Sequence, residues 1–113
     1  MILITGPLFA GKKSYIRNAL ALSEEEFARC AVWDVQDLAE GDLEALADSL
    51  AEKKIVITTE IGCGVVPVDR QERLHREAAG RLACLLAERA DTVVRVCCGL
   101  PQLLKGDWPC RSS

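Results

Sequence analysis

The sequence predicts an α/β domain, a parallel sheet of about four strands with helices on both faces, and three observations carry that prediction. Short apolar runs recur along the 113 residues, at 2–5, 31–33, 55–59 and 92–97. Between them lie segments whose apolar residues stand three and four apart, the spacing of an amphipathic helix. The run Ile55-Val56-Ile57-Thr58-Thr59 is apolar and β-branched at successive positions, as in a strand covered on both faces of a parallel sheet.

Each element follows in order. Residues 2–5 form a strand ending at Gly6, and a glycine-bounded loop leads into a helix over 12–22. Ser23-Glu24-Glu25-Glu26 is a capping box, with the serine side chain and the third following glutamate satisfying free N–H groups reciprocally, so a short helix starts there and stops near Cys30. Ala31-Val32-Trp33 is a brief strand that places Asp34 at the carboxyl edge of the sheet. After Gly41-Asp42, Leu43, Leu46, Ala47 and Leu50 share one helical face, with Lys53 and Lys54 suited to its C-terminal end. The central strand 55–59 exits through a loop, 60–67, carrying two glycines and a proline. Asp69 and Glu72 then cap a long helix with Leu74, Ala78, Leu82, Leu85 and Leu86 along one stripe and Arg70, Arg73, Arg76, Arg81 and Glu88 facing outward. The last strand, 92–97, brings Cys97 and Cys98 to opposite faces. Residues 1–106 make the single domain, and 107–113 a frayed tail.

Composition narrows the function classes. Apolar residues make up 50% and charged residues 27%, the balance of a chain that folds rather than one that stays disordered. A net charge of −3 gives no basic footprint for nucleic acid, and 4% aromatics leave no stacking platform for single strands. No run is long enough for a membrane span, and the opening Met-Ile-Leu-Ile-Thr carries no basic leader, so a cytoplasmic protein is expected. The six cysteines lack metal-finger spacing and are expected to be reduced thiols, several of them buried. His75 stands alone on the arginine-rich helix and is read as a structural or surface residue.

The sharpest local signal is Gly6-Pro7-Leu8-Phe9-Ala10-Gly11-Lys12-Lys13-Ser14, a G-x-x-x-x-G-K core set between a strand and a helix. Loops of this kind, typical of P-loop NTPase-like folds, aim successive backbone N–H groups and a helix N-terminus at phosphate oxygens while the lysine ammonium reaches the terminal phosphates. The pattern asks for a hydroxyl after the lysine to meet Mg²⁺, and here Lys13 stands there with Ser14 one residue late. Lys13 instead brings a second positive charge to the phosphates. Asp34 is the candidate metal-side carboxylate, and Glu60 lies at the carboxyl edge where open parallel sheets bind ligands.

Val56-Ile57-Thr58-Thr59-Glu60-Ile61-Gly62-Cys63-Gly64-Val65-Val66-Pro67 resembles a segment of the adenosylcobinamide kinase/adenosylcobinamide-phosphate guanylyltransferases of cobalamin synthesis. The resemblance continues through Arg70, Arg73, Arg76, Ala79-Gly80-Arg81, Val93 to Val96, Gly99-Leu100-Pro101 and Lys105, and the opening strand with Gly6, Gly11 and Lys12 is similar as well. It implies phosphorylation of adenosylcobinamide by ATP or GTP with Mg²⁺, a corrinoid acceptor and a homo-oligomer. Lys12 would neutralise the phosphates, Glu60 would orient substrate or metal, and Asp34 with Ser14 would face the metal. The family histidine that carries GMP has no counterpart between Lys12 and Lys54, so the kinase half is what the resemblance carries over. The alternative is a relative that binds nucleotide or phosphate as a partner protein without turnover.

Overall fold

The computed structural model describes residues 1–61 and 69–110. Its elements are β1 (Ile2–Thr5), α1 (Lys12–Ala19), α2 (Glu24–Cys30), β2 (Ala31–Val32), a 3₁₀ turn (Val35–Leu38), α3 (Leu43–Leu50), β3 (Ile55–Ile57), α4 (Arg70–Arg89), β4 (Thr92–Cys97) and β5 (Leu100–Lys105). The sheet runs β2-β3-β1-β4-β5, with the first four parallel and β5 antiparallel to β4.

The alternation of side chains across each strand divides the core into two. Leu3, Val56 and Val93 face α3 and α4, where they meet Leu43, Ala47, Leu82 and Leu86. Their neighbours Ile4, Ile55, Ile57, Val94 and Val96 face the other way and pack on Ile16 and Leu20, with Phe27 of α2. Ile55, Val56 and Ile57 are buried in these two layers, which accounts for the unbroken apolar run in β3. The local signals also hold: Ser23 and Glu26 form the reciprocal capping box, and the Asp42 and Asp69 carboxylates accept from the N–H groups of Ala45 and Glu72. Among the described residues no helix is long and apolar enough to cross a membrane.

Four expectations need correction. The sheet has five strands rather than about four, because Leu100–Lys105 folds back on β4. Pro101 masked that strand, and it is tolerated because β5 is an edge. Cys98 does not continue β4: Cys98 and Gly99, both at positive φ (54° and 74°), make the two-residue turn of the β4–β5 hairpin. Leu74 is exposed rather than part of the core stripe, and Arg76, expected to face solvent, is half-buried. The free thiols Cys84, Cys98 and Cys110 are exposed and Cys30 and Cys97 only half-buried, so none of these five is a core residue. Gly62 to Val68, including Cys63 and most of the resembling loop, and Arg111 to Ser113 lie outside the described residues.

Asp107 to Cys110 run back to the amino-terminal end of the sheet, where the Thr92 hydroxyl donates to the Asp107 carbonyl.

Gly6 sits at the carboxyl end of β1 with φ of 149°, and a Cβ there would fall 2.1 Å from the Val96 carbonyl oxygen. That oxygen belongs to the neighbouring strand and has no room to retreat. Gly6→Ala is expected to cost more than about 2 kcal/mol, as strained backbone with a steric clash does. The midpoint of urea denaturation checks it.

Candidate functional site

β1 lies at the centre of the sheet, flanked by β3 and β4: the chain passes from β1 out to β2 on one side, and the crossover from β3 carries it past β1 to β4 on the other. In open parallel sheets the crevice beyond the carboxyl ends of such strands receives ligands. Gly6 after β1, Asp34 beyond β2 and Glu60 beyond β3 all stand at that end.

The loop from Gly6 to Gly11 is held by both flanking strands. The Glu60 N–H donates to the Gly6 carbonyl at 2.9 Å, and the Gly99 N–H donates to the Ala10 carbonyl at 2.9 Å. Phe9 adopts φ of 59° and Gly11 φ of 86°, so the loop turns through left-handed backbone twice before α1 begins. A phenylalanine is seldom found there, and its ring is 95% exposed at the loop tip beside exposed Leu8. Pro7 is half-buried, while Ala10 is buried under the loop.

Gly11 is the residue before α1, so the first N–H groups of that helix lie within the loop and have no partner four residues earlier. Lys12 opens the helix and is only 8% exposed; its Nζ donates to the Pro7 carbonyl at 2.6 Å. Burial pushes its pKa down, and the carboxylates of Asp34 and Glu60 pull it back up. The ammonium is thus held inside the loop with a carbonyl oxygen as its partner.

A cleft of about 270 Å³ opens over this loop, lined by Leu8, Phe9, Ala10, Gly11, Lys12, Lys13 and Ser14, with Asp34, Ile57 and Thr59 across from them. Asp34 is exposed and sits at φ of 55°, where it turns the chain from β2 into the 3₁₀ turn. Lys13 is exposed, and its Nζ lies 4.6 Å from the centre of the Trp33 ring. That ring stacks on Phe27 at 5.4 Å, which fixes it against α2. Ser14 lines the same cleft from the first turn of α1. Of the predicted loop, Gly6 and Pro7 do not line the cleft, and Pro7 reaches it only through the carbonyl that accepts from Lys12.

Glu60 faces a second, smaller cleft of about 180 Å³, formed with Thr5, Thr58 and Thr59 on the sheet side and Arg76, Ala79 and Gly80 on α4. Its carboxylate is gripped by Arg95, Nε to Oε1 at 2.7 Å and Nη2 to Oε2 at 3.0 Å. Forked pairs of this kind fix direction as well as charge.

Sequence reasoning missed three of these residues. Arg95 had a signal, a lone charge within an apolar strand. Arg76 was taken as solvated because arginines surround it. Gln36 had none: it is buried, and its side-chain oxygen accepts from the Thr59 N–H at 3.0 Å, holding the strand end from which Glu60 projects. His75 is exposed on α4.

Gln36→Leu leaves the buried Thr59 N–H without its acceptor. A loss of about 1–3 kcal/mol in unfolding free energy is expected for such an orphaned group, read by chemical denaturation.

Residues 16–104 match the family model described as cobinamide kinase / cobinamide phosphate guanyltransferase. The bifunctional adenosylcobalamin biosynthesis protein CobP of Pseudomonas aeruginosa is 34% identical over 101 residues, covering 75% of this chain and 58% of that relative. The chain thus spans little more than half the length of the curated relative it matches. The family match opens inside α1, so the loop of Gly6 to Ser14 stands on its own pattern and geometry. With a match running from α1 into β5, this chain belongs to the cobinamide kinase / cobinamide phosphate guanyltransferase family.

Proposed function

We propose that this chain binds ATP or GTP at the loop of Gly6 to Ser14 and transfers a phosphoryl group to the hydroxyl of adenosylcobinamide, a step of cobalamin biosynthesis. The observation that carries the reading is Lys12: a nearly buried ammonium, bonded only 2.6 Å from a loop carbonyl, at the N-terminus of a helix in a glycine-bounded loop. Phosphoryl transfer is mostly positioning and charge stabilisation, which is what such a loop supplies.

In this reading the N–H groups of Gly11, Lys12 and Lys13 meet phosphate oxygens and Lys12 leaves the Pro7 carbonyl for them. Glu60 is a positioning residue. Held by Arg95, its carboxylate faces the cleft beside Arg76, where the acceptor arm of a corrinoid would enter while the bulk of the molecule stays outside.

The family chemistry also implies Mg²⁺, and the residues present do not fit it. Asp34 lines the cleft as a metal-side carboxylate would, but Lys13 puts an ammonium where the metal's hydroxyl ligand belongs. Ser14 lies one residue further round the helix, a rotation of about 100°.

Guanylyl transfer is not proposed, because the only histidine, His75, is exposed on α4. Residues at the β5 edge support a homo-oligomer: six residues of edge strand leave Leu100 and Leu104 more than half exposed, and exposed edges invite pairing. Light scattering behind size exclusion is expected to give a multiple of the 12.3 kDa chain mass; a monomer at high concentration removes the oligomer.

The function is tested by calorimetric titration with ATP and GTP, followed by a phosphorylation assay with adenosylcobinamide. Lys12→Met is expected to abolish binding while raising stability at neutral pH. Its lowered pKa means that the unfolded chain holds the proton more tightly. Wild-type stability therefore rises as pH climbs toward the ordinary value of 10.5, and the variant lacks that rise. Binding without phosphorylation would leave the partner-protein alternative.

A further inference from the structure

We propose, on the reading of this loop as a nucleotide site, that the Lys13 ammonium stands where a hydroxyl-held divalent cation stands elsewhere, so that the chain takes a polyphosphate tail without a metal ion. Position is the first reason. Lys13 is the second residue of α1, immediately after the loop lysine, and lines the same cleft as Lys12 and Asp34.

The second reason is where its ammonium rests. It lies 4.6 Å from the Trp33 ring centre, and Trp33 is stacked on the buried Phe27, so the charge is parked on a ring held in place next to Asp34, which lines the cleft. A ring face binds an ammonium more weakly than a phosphate oxygen does, because the latter is a charge-assisted hydrogen bond. The flexible stem of Lys13 moves its charge from ring to phosphate by side-chain rotation alone. Nothing in the backbone has to change.

The third reason is the balance of charge. Asp34 already acts on Lys12, and Glu60 is occupied by Arg95. A divalent cation arriving at the hydroxyl position would meet the Lys13 ammonium as a like charge and gain no oxygen ligand from that residue. A polyphosphate meets two ammoniums and the free N–H groups of a helix N-terminus, which together offset much of its charge.

The experiment is calorimetric titration of the full chain with ATP, GTP and inorganic tripolyphosphate, once in excess Mg²⁺ and once in EDTA. Wild-type dissociation constants in the two conditions are expected to agree within about threefold, well under the effect of losing a metal ligand. Lys13→Met is expected to weaken metal-free binding about tenfold or more, the worth of one charge-assisted contact, and Lys13→Arg to restore it. In a Trp108→Phe background, metal-free binding should change Trp33 emission as the ammonium leaves the ring, and Lys13→Met should lose that change. Tripolyphosphate binding as tightly as the nucleotides assigns the site to the phosphate tail alone; tighter nucleotide binding adds a base contact. Either supports the proposal. Binding that requires Mg²⁺, or metal-free binding unaffected by Lys13→Met, overturns it and leaves the nucleotide site standing. No binding in either condition overturns both.

Discussion

Two backbone hydrogen bonds hold the loop on which the site depends: Glu60 N–H to the Gly6 carbonyl, and Gly99 N–H to the Ala10 carbonyl. They fasten the two ends of the loop to the strands on either side of β1. The first reaches the segment that presents Glu60, and the second reaches the hairpin turn that carries β4 into β5. Side chains play little part in this clamp. It is set by the parallel register of β1 with β3 and β4, which in turn is set by apolar residues alternating into two separate cores. The chain of cause therefore runs from strand patterning to register, from register to loop, and from loop to the direction of Lys12.

Charge is arranged around that frame at some cost to stability. Lys12 is nearly buried and its charged form is disfavoured there, only partly offset by Asp34 and Glu60. Glu60 would be a second strained charge were it not forked by Arg95. Gln36 serves the same end from below, taking up a buried N–H that the end of β3 would otherwise leave open. A fold that needed only to be stable would place none of these groups at the mouth of its sheet.

The alternation of strand and helix was legible from residue patterns because the parallel strands are mostly apolar at successive positions and the longer helices carry one apolar stripe. The caps at Ser23, Asp42 and Asp69 were equally local, though only the first and last were read as such. What escaped was what depends on partners far along the chain. β5 carries a proline and mostly exposed side chains, and becomes a strand only because β4 offers an open edge. The grip of Arg95 on Glu60 and of Gln36 on Thr59 joins residues 35 and 23 positions apart, and no spacing rule links them. The loop of Gly6 to Ser14, Asp34 and Glu60 could be singled out in advance, since the G-x-x-x-x-G-K spacing and the carboxyl edges of strands are local features.

The tip of the loop has a different character from its base. Leu8 and Phe9 are 65% and 95% exposed, and the clamp runs through the backbone of Gly6 and Ala10 on either side of them. Holding and presenting are thus assigned to different residues. Lineages descending from this chain are free to rewrite the tip, changing what it touches, without eroding the scaffold beneath it. Gly6, pressed against Val96, has no such freedom. Variation in this protein should therefore be permissive at two exposed positions of its most constrained segment.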